Sequence, residues 1–386
     1  MPASASSPIA VLSAHTGRDG VEPDADLLVA LAAVPDPRKA RGCRHRLVTV
    51  LAIGVCAVLA GARSYVAIAE WAQDLPVSAR LRLGLGRRAP SESTIRRILQ
   101  AVDLDALDVA VSGWLAVRRP NPPPGGMRVI AVDGKTARGA RTDDGAQVHL
   151  LAAFDHASGV VLGQTQVSGE GGKNSEITAF APLLDRIDLS DVLLTADALH
   201  TQRGHADYLH HRGGHYLLIV KANQPTLHRQ LVGLPWRQIP IAIEDRDRAH
   251  GRVETRRVKI TTVSAGIGFP HARLAIQVQR HRQPLGSTTW TSETIHAITS
   301  LPWRQARADL VADALRGHWR IESLHWIRDV TFGEDLSQVR TGNGPAVMAT
   351  LRNFAVSRHR LAGDDNIARA CRRTARHPNR ALALLT

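Results

Sequence analysis

Three carboxylates have the type and placement for metal-assisted chemistry. Asp133 follows the apolar run RVIAV, Asp197 follows DVLLTA, and Glu322 lies within ALRGHWRIESLHWIRDV, residues 314–330. The first two read as strand-end acids. The third reads as a helix residue, sharing a polar face with His318 at i−4, His325 at i+3 and Asp329 at i+7. An apolar stripe of Leu315, Trp319, Trp326 and Val330 beside that face is expected to bury against a core. Carboxylate oxygens are hard ligands that suit Mg²⁺, with Mn²⁺ as the alternative. Two such cations at a phosphodiester would activate an attacking water or 3′-hydroxyl and stabilise the leaving oxygen. Lys135, Lys221, Arg316, Arg320 and His318 are the candidates to offset phosphate charge. His318 and His325 lack a second cluster of ligands, which argues against zinc.

The elements that must bring these acids together are legible in outline. Arg128–Val132 reads as a strand ending at Asp133, and Gln147–Asp155 with Val160–Ser168 as a hairpin across the turn DHASG. Glu176–Ile187 reads as a helix, Asp191–Ala196 as a buried strand, His200–His211 as a helix and His215–Val220 as a strand ending at Lys221. Ala222–Leu231 continues as a helix. Residues 235–300 lose helical periodicity and read as a β-rich insertion. Helix returns over Gln305–Arg328 and Ala346–His359. Strand, hairpin, helix, strand, helix, strand, insertion and helix in that order are the layout of an α/β, RNase H-like mixed sheet with helices on both faces.

The flanking segments are of other kinds. Residues 1–25, rich in Ser, Ala, Pro and Gly, read as a disordered arm. Residues 26–117 read as a small helical domain, with a basic loop PDPRKARGCRHRL and a capped helix after Ser91; this domain is expected to contact DNA. RRPNPPPGGM, residues 118–127, is a stiff linker to the catalytic domain, residues 128–360, and 361–386 form a C-terminal tail.

Bulk properties favour the same partner. A chain of 386 residues, 44% hydrophobic, has a formal net charge of +14, which suits a polyanion such as double-stranded DNA. Arginine-rich codon usage accounts for part of that charge. Only five of the 49 cationic side chains are lysines, so Lys135 and Lys221 beside strand-like runs hint at sites needing a compact ammonium. Cys43, Cys56 and Cys371 are widely spaced, without a CxxC pair, which favours a reducing compartment. No signal peptide is apparent, and the apolar run 47–62 is short of the roughly 20 residues of a membrane span. A cytoplasmic, nucleoid-associated protein is expected.

The segments VIAVDGKTARGA, HLLAAFDHASGVVLGQTQVSGEGGKNSEITAF, LLTADALHTQ, YLLIVKANQPTL and HWRIESLHWIRDVTFGEDLSQVR resemble the insertion-sequence DDE transposases of the H-repeat-associated (ISAs-type) group. VPDPRKARGCRHRLVTVLAIGVCAVLAGARSYVAIAEWA and then PSESTIRRIL are similar to the domain found with them, and together the resemblance covers roughly residues 28–360. The resemblance implies that Asp133, Asp197 and Glu322 are the metal-holding catalytic triad. It also implies Mg²⁺-dependent cleavage at element ends, strand transfer into target DNA, and work as a homo-oligomer on two ends. A wider group of relatives carries Y-x2-R-x3-E-x6-K around its glutamate. Leu315, His318 and Asp329 stand at those places here, so the phosphate contacts of that motif do not carry over, and His318 and Arg320 are the substitutes to consider. Two alternatives stand beside this reading: a non-catalytic DNA-binding relative, and a metal-dependent nuclease of the same fold without strand transfer.

Overall fold

The computed structural model describes residues 26–41, 43–141, 145, 147–167, 173–249, 251–263 and 266–386. The proposed arm, 1–25, lies outside them. Helices α1 (Leu27–Ala32), α2 (Leu47–Leu59), α3 (Tyr65–Gln73), α4 (Val77–Arg82), α5 (Glu92–Ala101) and α6 (Leu104–Ala116) come first. Polar caps start most of them: Asp26, Ser64, Ser91 and Asp103 each accept a backbone N–H of the helix they precede. Helix α2 lacks a polar face and is buried along nearly its whole length. Its 13 residues make a core helix, and no helix among the described residues is long and apolar enough to cross a membrane.

The sheet follows. Its strands are β1 (Arg128–Arg141), β2 (Gln147–Asp155), β3 (Val161–Gln166), β4 (Val192–Ala196), β5 (His215–Val220), β6 (Ile243–Ala249), β7 (Arg252–Thr262), β8 (Leu274–Pro284) and β9 (Thr291–Thr299). Helices α7 (Lys173–Leu184), α8 (Arg203–His211) and α9 (Pro225–Val232) connect the middle strands, and α10 (Ala308–Gly317), α11 (Trp319–Val330) and α12 (Gly344–Leu361) return after β9. The nine strands lie in the order β3-β2-β1-β4-β5-β9-β8-β7-β6. β1, β4 and β5 are parallel, and β1–β2–β3 form an antiparallel meander. This is the expected RNase H-like mixed sheet. The β-rich insertion, 235–300, does not stand apart from it: β9 pairs antiparallel with β5, so the four insertion strands extend the same sheet. Residues 361–386 carry two helices, α13 (Ile367–Ala375) and α14 (Pro378–Ala383), that pack with α2 into the main core.

Three local expectations are corrected. β1 does not end at Asp133. Its pairing with β4 stops at Val132↔Ala196, but it runs on against β2 through Ala137↔Val148, so Asp133 stands mid-strand where only one neighbour has ended. The single helix over 305–328 is two, α10 and α11, separated at His318, whose φ of −54° and ψ of −37° keep the two nearly continuous. The apolar stripe does not bury: Trp319, Trp326 and Val330 are 42%, 63% and 52% exposed. The buried side of α11 is Ile321, Leu324, Ile327 and Arg328.

Arg328 explains that rotation. A charged side chain reads as solvated from sequence, yet this one is fully buried because Glu334 waits for it. Its Nε and Nη2 donate to Glu334 Oε2 and Oε1 at 2.8 and 2.9 Å, and Arg352 Nη1 on α12 donates to Oε1 at 3.0 Å. Arg328 Nη1 also reaches Gln164 on β3 and Asn353 on α12, both at 3.3 Å. Burial raises the Glu334 carboxyl, but the two guanidiniums overcome that and hold it down at about 2. Removing one member strands a buried charge. Replacing Glu334 by Gln is therefore expected to destabilise the fold by about 3–5 kcal/mol at pH 7. Because the folded carboxyl lies below its ordinary 4.5, its contribution is present above that value and fades as pH falls toward 2. Urea unfolding of both proteins at pH 7 checks this; a difference below about 1 kcal/mol would place the anchor elsewhere.

Candidate active site at the open edge of the sheet

Asp133 and Asp197 are set side by side by register. Val132 pairs with Ala196 on parallel strands, so the next residue on each chain is an aspartate. Residues two apart on a strand share a face, which puts Asp197 with Thr195 and Asp133 with Ala131 on the face that α10 and α11 cover. β4 gives way after Ala196 to a 3-10 turn (Ala198–His200), and Asp197 caps it by accepting the Leu199 N–H at 2.9 Å.

The glutamate helix is pinned to that spot by the residue just before it. His318 is buried, and its Nδ1 lies 3.2 Å from Thr195 Oγ1, two residues before Asp197. The same hydroxyl meets His156 Nε2 at 3.2 Å. Burial keeps His318 and His156 neutral, pulling them down to about 4 and about 3. Gly317 is required here, since a Cβ would collide with the His156 ring. Arg320 Nη1 donates to the His156 carbonyl at 2.8 Å, tying the first turn of α11 to the β2–β3 turn. Glu322, one turn beyond His318, is exposed.

These acids sense one another. The Asp133 carboxyl is pushed up to about 7, first by burial and then by the negative charge of Asp197; Glu176 and Glu322 add to the push, while the Gly134 N–H opposes it. Glu176, at the start of α7, is a fourth acid that sequence reading placed only in a helix. Its carboxylate lies 2.8 Å from His149 Nε2 and 3.5 Å from His200 Nε2. Burial raises it, but those imidazoles hold it down at about 2. The signal that could have found it is Gly134: a Cβ there would come within 2.5 Å of His149 Nε2 and 2.9 Å of Glu176, so the DG pair clears a path for the acid. His325 Nδ1 stands 3.6 Å from Asp133 Oδ2, beyond hydrogen-bond reach. Its pKa is pulled down to about 3, by burial and then by Arg328 and Lys135, so it sits there neutral.

The cationic candidates divide. Lys135 turns away to Asp335, 3.3 Å from its Oδ1, in a strap that also engages Arg138. Arg316 pairs with Asp245 on the insertion. Lys221 is exposed just past β5, at the same end of the parallel strands as Asp197, and Asn223 Nδ2 links its loop to the Ala198 carbonyl at 2.5 Å.

As the side chains lie, no three His, Cys, Asp or Glu groups among the described residues gather closely enough to hold one ion. The donor chemistry nonetheless fits a hard divalent cation: adjacent carboxylates, one carrying a like-charge penalty that a cation would lift.

Strand order, antiparallel meander and helices on both faces define an RNase H-like protein with two aspartates side by side where β4 ends. Residues 124–357 match the family model described as Transposase DDE domain, and residues 28–115 match the model described as DDE_Tnp_1-associated. The chain therefore belongs to the transposase DDE domain family. It is 28% identical over 352 residues to the provisionally named transposase YncI of Escherichia coli O157:H7, covering 86% of each chain. It is 25% identical over 345 residues to the provisionally named H repeat-associated transposase YhhI of Escherichia coli K12, covering 86% of this chain and 89% of that one. Among solved structures, the piggyBac transposase synaptic complex with hairpin DNA overlays with a TM-score of 0.41 at 10% identity, covering 93% of this chain and 78% of that one.

The raised Asp133 carboxyl predicts a pH signature. A carboxyl whose folded value, about 7, exceeds its ordinary 3.8 is least costly when protonated, so stability is lost as pH rises from about 4 through 7. In metal-free buffer at pH 8, Asp133→Asn is expected to melt higher than wild type, with the gap closing as pH falls toward 4. Equal melting temperatures at pH 8 would show that the acids do not repel.

Proposed function

We propose that this protein is a DNA transposase that cuts phosphodiester bonds at the ends of an insertion sequence and joins them to target DNA. Asp133, Asp197 and Glu322 would hold Mg²⁺, or Mn²⁺ in its place. Two such ions, when bound, supply Lewis-acid stabilisation of the attacking and leaving oxygens. The observation that carries the reading is the β1–β4 register, which sets Asp133 beside Asp197 in a chain of the transposase DDE domain family.

The chain's own residues divide the remaining work. The β1–β4 register fixes the two aspartates relative to each other. His318, neutral and bonded to Thr195, sets the height of Glu322 over the sheet instead of meeting phosphate itself. Arg320 is partly committed to the His156 carbonyl, which leaves Lys221 as the freest cation at that edge to meet a phosphate. Lys135, held by Asp335, braces β1 beside Asp133. Handling two DNA ends requires at least two copies of the chain, which sizing of the protein on end-bearing DNA would show.

The test uses purified protein and a plasmid carrying the ends that flank the gene. Mg²⁺ or Mn²⁺ should produce end-specific breaks and target-joined products. Asp133→Asn, Asp197→Asn and Glu322→Gln should each lower cleavage at least about a thousandfold while leaving DNA binding within a few-fold. Binding without cleavage by wild type would mark a non-catalytic relative, and breaks without joined products would mark a nuclease.

A further inference from the structure

The ladder that sets Asp133 beside Asp197 ends one residue before them, at Val132↔Ala196. Asp197 then stands at the head of a turn that is tied toward β5. Thr201 Oγ1 donates to the Ile219 carbonyl at 2.6 Å, and Asn223 Nδ2 donates to the Ala198 carbonyl at 2.5 Å. Among the described residues, no side-chain hydrogen bond joins this turn to β1 past Val132. Carboxylates of like charge repel, so the pair needs a tie on the β1 side as well.

Glu176 on α7 supplies that tie. Its Oε2 lies 3.5 Å from Nε2 of His200, the last residue of the 3-10 turn, and its Oε1 lies 2.8 Å from His149 Nε2 on β2. His149 is the cross-strand partner of Thr136 on β1, and its Nδ1 meets Thr136 Oγ1 at 2.8 Å. One carboxylate therefore spans from the β1–β2 pair to the turn, across the place where the β1–β4 ladder has stopped. His200 is 1% exposed, and neither of its ring nitrogens has a hydrogen-bond partner among the described residues, so the ion pair with Glu176 is what answers it. Phe180, one turn further along α7, packs its ring 5.3 Å from the same imidazole. The approach is from behind. Gly134 and Thr136 face away from Asp133, and a Cβ on Gly134 would come within 2.9 Å of the Glu176 carboxylate. A carboxylate on the far face of the sheet, engaged by two imidazoles, is placed as a brace and not as a metal ligand.

We infer that Glu176 is a positioning residue: with His149 and His200 it clamps β1 to the turn after β4, and so holds Asp133 and Asp197 at the separation that a shared cation needs. It rests on the transposase reading for one point, that the two aspartates share a cation.

The test is Mn²⁺ binding by the full-length, DNA-free protein, read from the rise of melting temperature with Mn²⁺ and from free Mn²⁺ by electron paramagnetic resonance. Glu176→Gln and His200→Gln should each raise the half-saturating Mn²⁺ concentration by about ten- to a hundredfold, with the number of ions bound unchanged. Because both break one clamp, the double variant should bind no more weakly than the weaker single variant. Gly134→Ala wedges a methyl against the carboxylate while leaving every charge in place, and should shift binding in the same direction. It carries the test by itself should loss of Glu176 unfold the chain. Asp364→Asn, which removes the partner of Arg373 in the C-terminal segment, is the control for general loosening and should bind Mn²⁺ as wild type does. Excess Mn²⁺ should restore cleavage of element ends to Glu176→Gln but not to Asp133→Asn. Four results overturn the inference: wild-type Mn²⁺ affinity in both Glu176→Gln and Gly134→Ala, one ion fewer on Glu176→Gln, effects of Glu176→Gln and His200→Gln that add in full, or an equal loss in Asp364→Asn. In each the transposase reading still stands. Wild-type protein that binds no Mn²⁺ defeats both.

Discussion

The site depends on a single register. Once β1 and β4 pair so that Val132 meets Ala196, two aspartates must stand together on one face, in an environment that resists charge. The repulsion between them is a stability cost that the rest of the fold absorbs. Because β4 stops there and β1 continues against β2, the sheet opens at that point, and the charges of Glu176 and Glu322, on two separate helices, act on Asp133. A strand that ended at Asp133 would have given the aspartate no brace beyond itself. The longer β1 instead carries Gly134, Lys135 and Thr136, which make room for Glu176, pair with Asp335 and bond His149 at 2.8 Å.

The glutamate helix is held at both ends by buried polar groups of opposite character. At its start, neutral imidazoles share one threonine hydroxyl. At its end, Arg328 enters a charged cluster with Glu334 and Arg352. Buried ionic groups of this kind are poor sources of net stability but penalise any other rotation or register strongly. That division fixes the orientation of a helix that carries one exposed carboxylate, Glu322, between the two anchors.

How much of this was readable from the amino acids alone follows from what each signal reports. Asp133 and Asp197 stood out as candidates because each follows a regular apolar run, and Glu322 because of its helical spacing from His318 and His325; the sheet's strands and hairpin were legible from their apolar patterning. The burial of Arg328 was not, because local periodicity treats arginine as solvated and its partner lies on a 3-10 turn past the helix end. The exposure of Trp319 and Trp326 is the other half of the same error: with Arg328 inside, the tryptophans rotate out, and Trp319 lies beneath the Arg280 guanidinium at 4.1 Å. Glu176 was hidden because nothing in its own segment marks it; the mark is a glycine 42 positions earlier. The continuity of the insertion with the main sheet depends on β9 finding β5, a long-range pairing that strand propensity does not encode.

The first described helix meets the last described residues. Leu27 N–H donates to the Leu385 carbonyl at 2.8 Å, His359 Nε2 lies 3.0 Å from the Leu59 carbonyl, and a Cβ on Gly54 would come within 3.3 Å of Leu351. Helix α2, apolar all round, is therefore sheathed by segments synthesised some three hundred residues later. On the ribosome it emerges without its covering and must wait, shielded by chaperones or by provisional contacts, until the last helices arrive. A message truncated near its 3′ end would thus yield a polypeptide that still encodes every acid of the site yet leaves its most water-averse helix bare, a natural substrate for proteolysis.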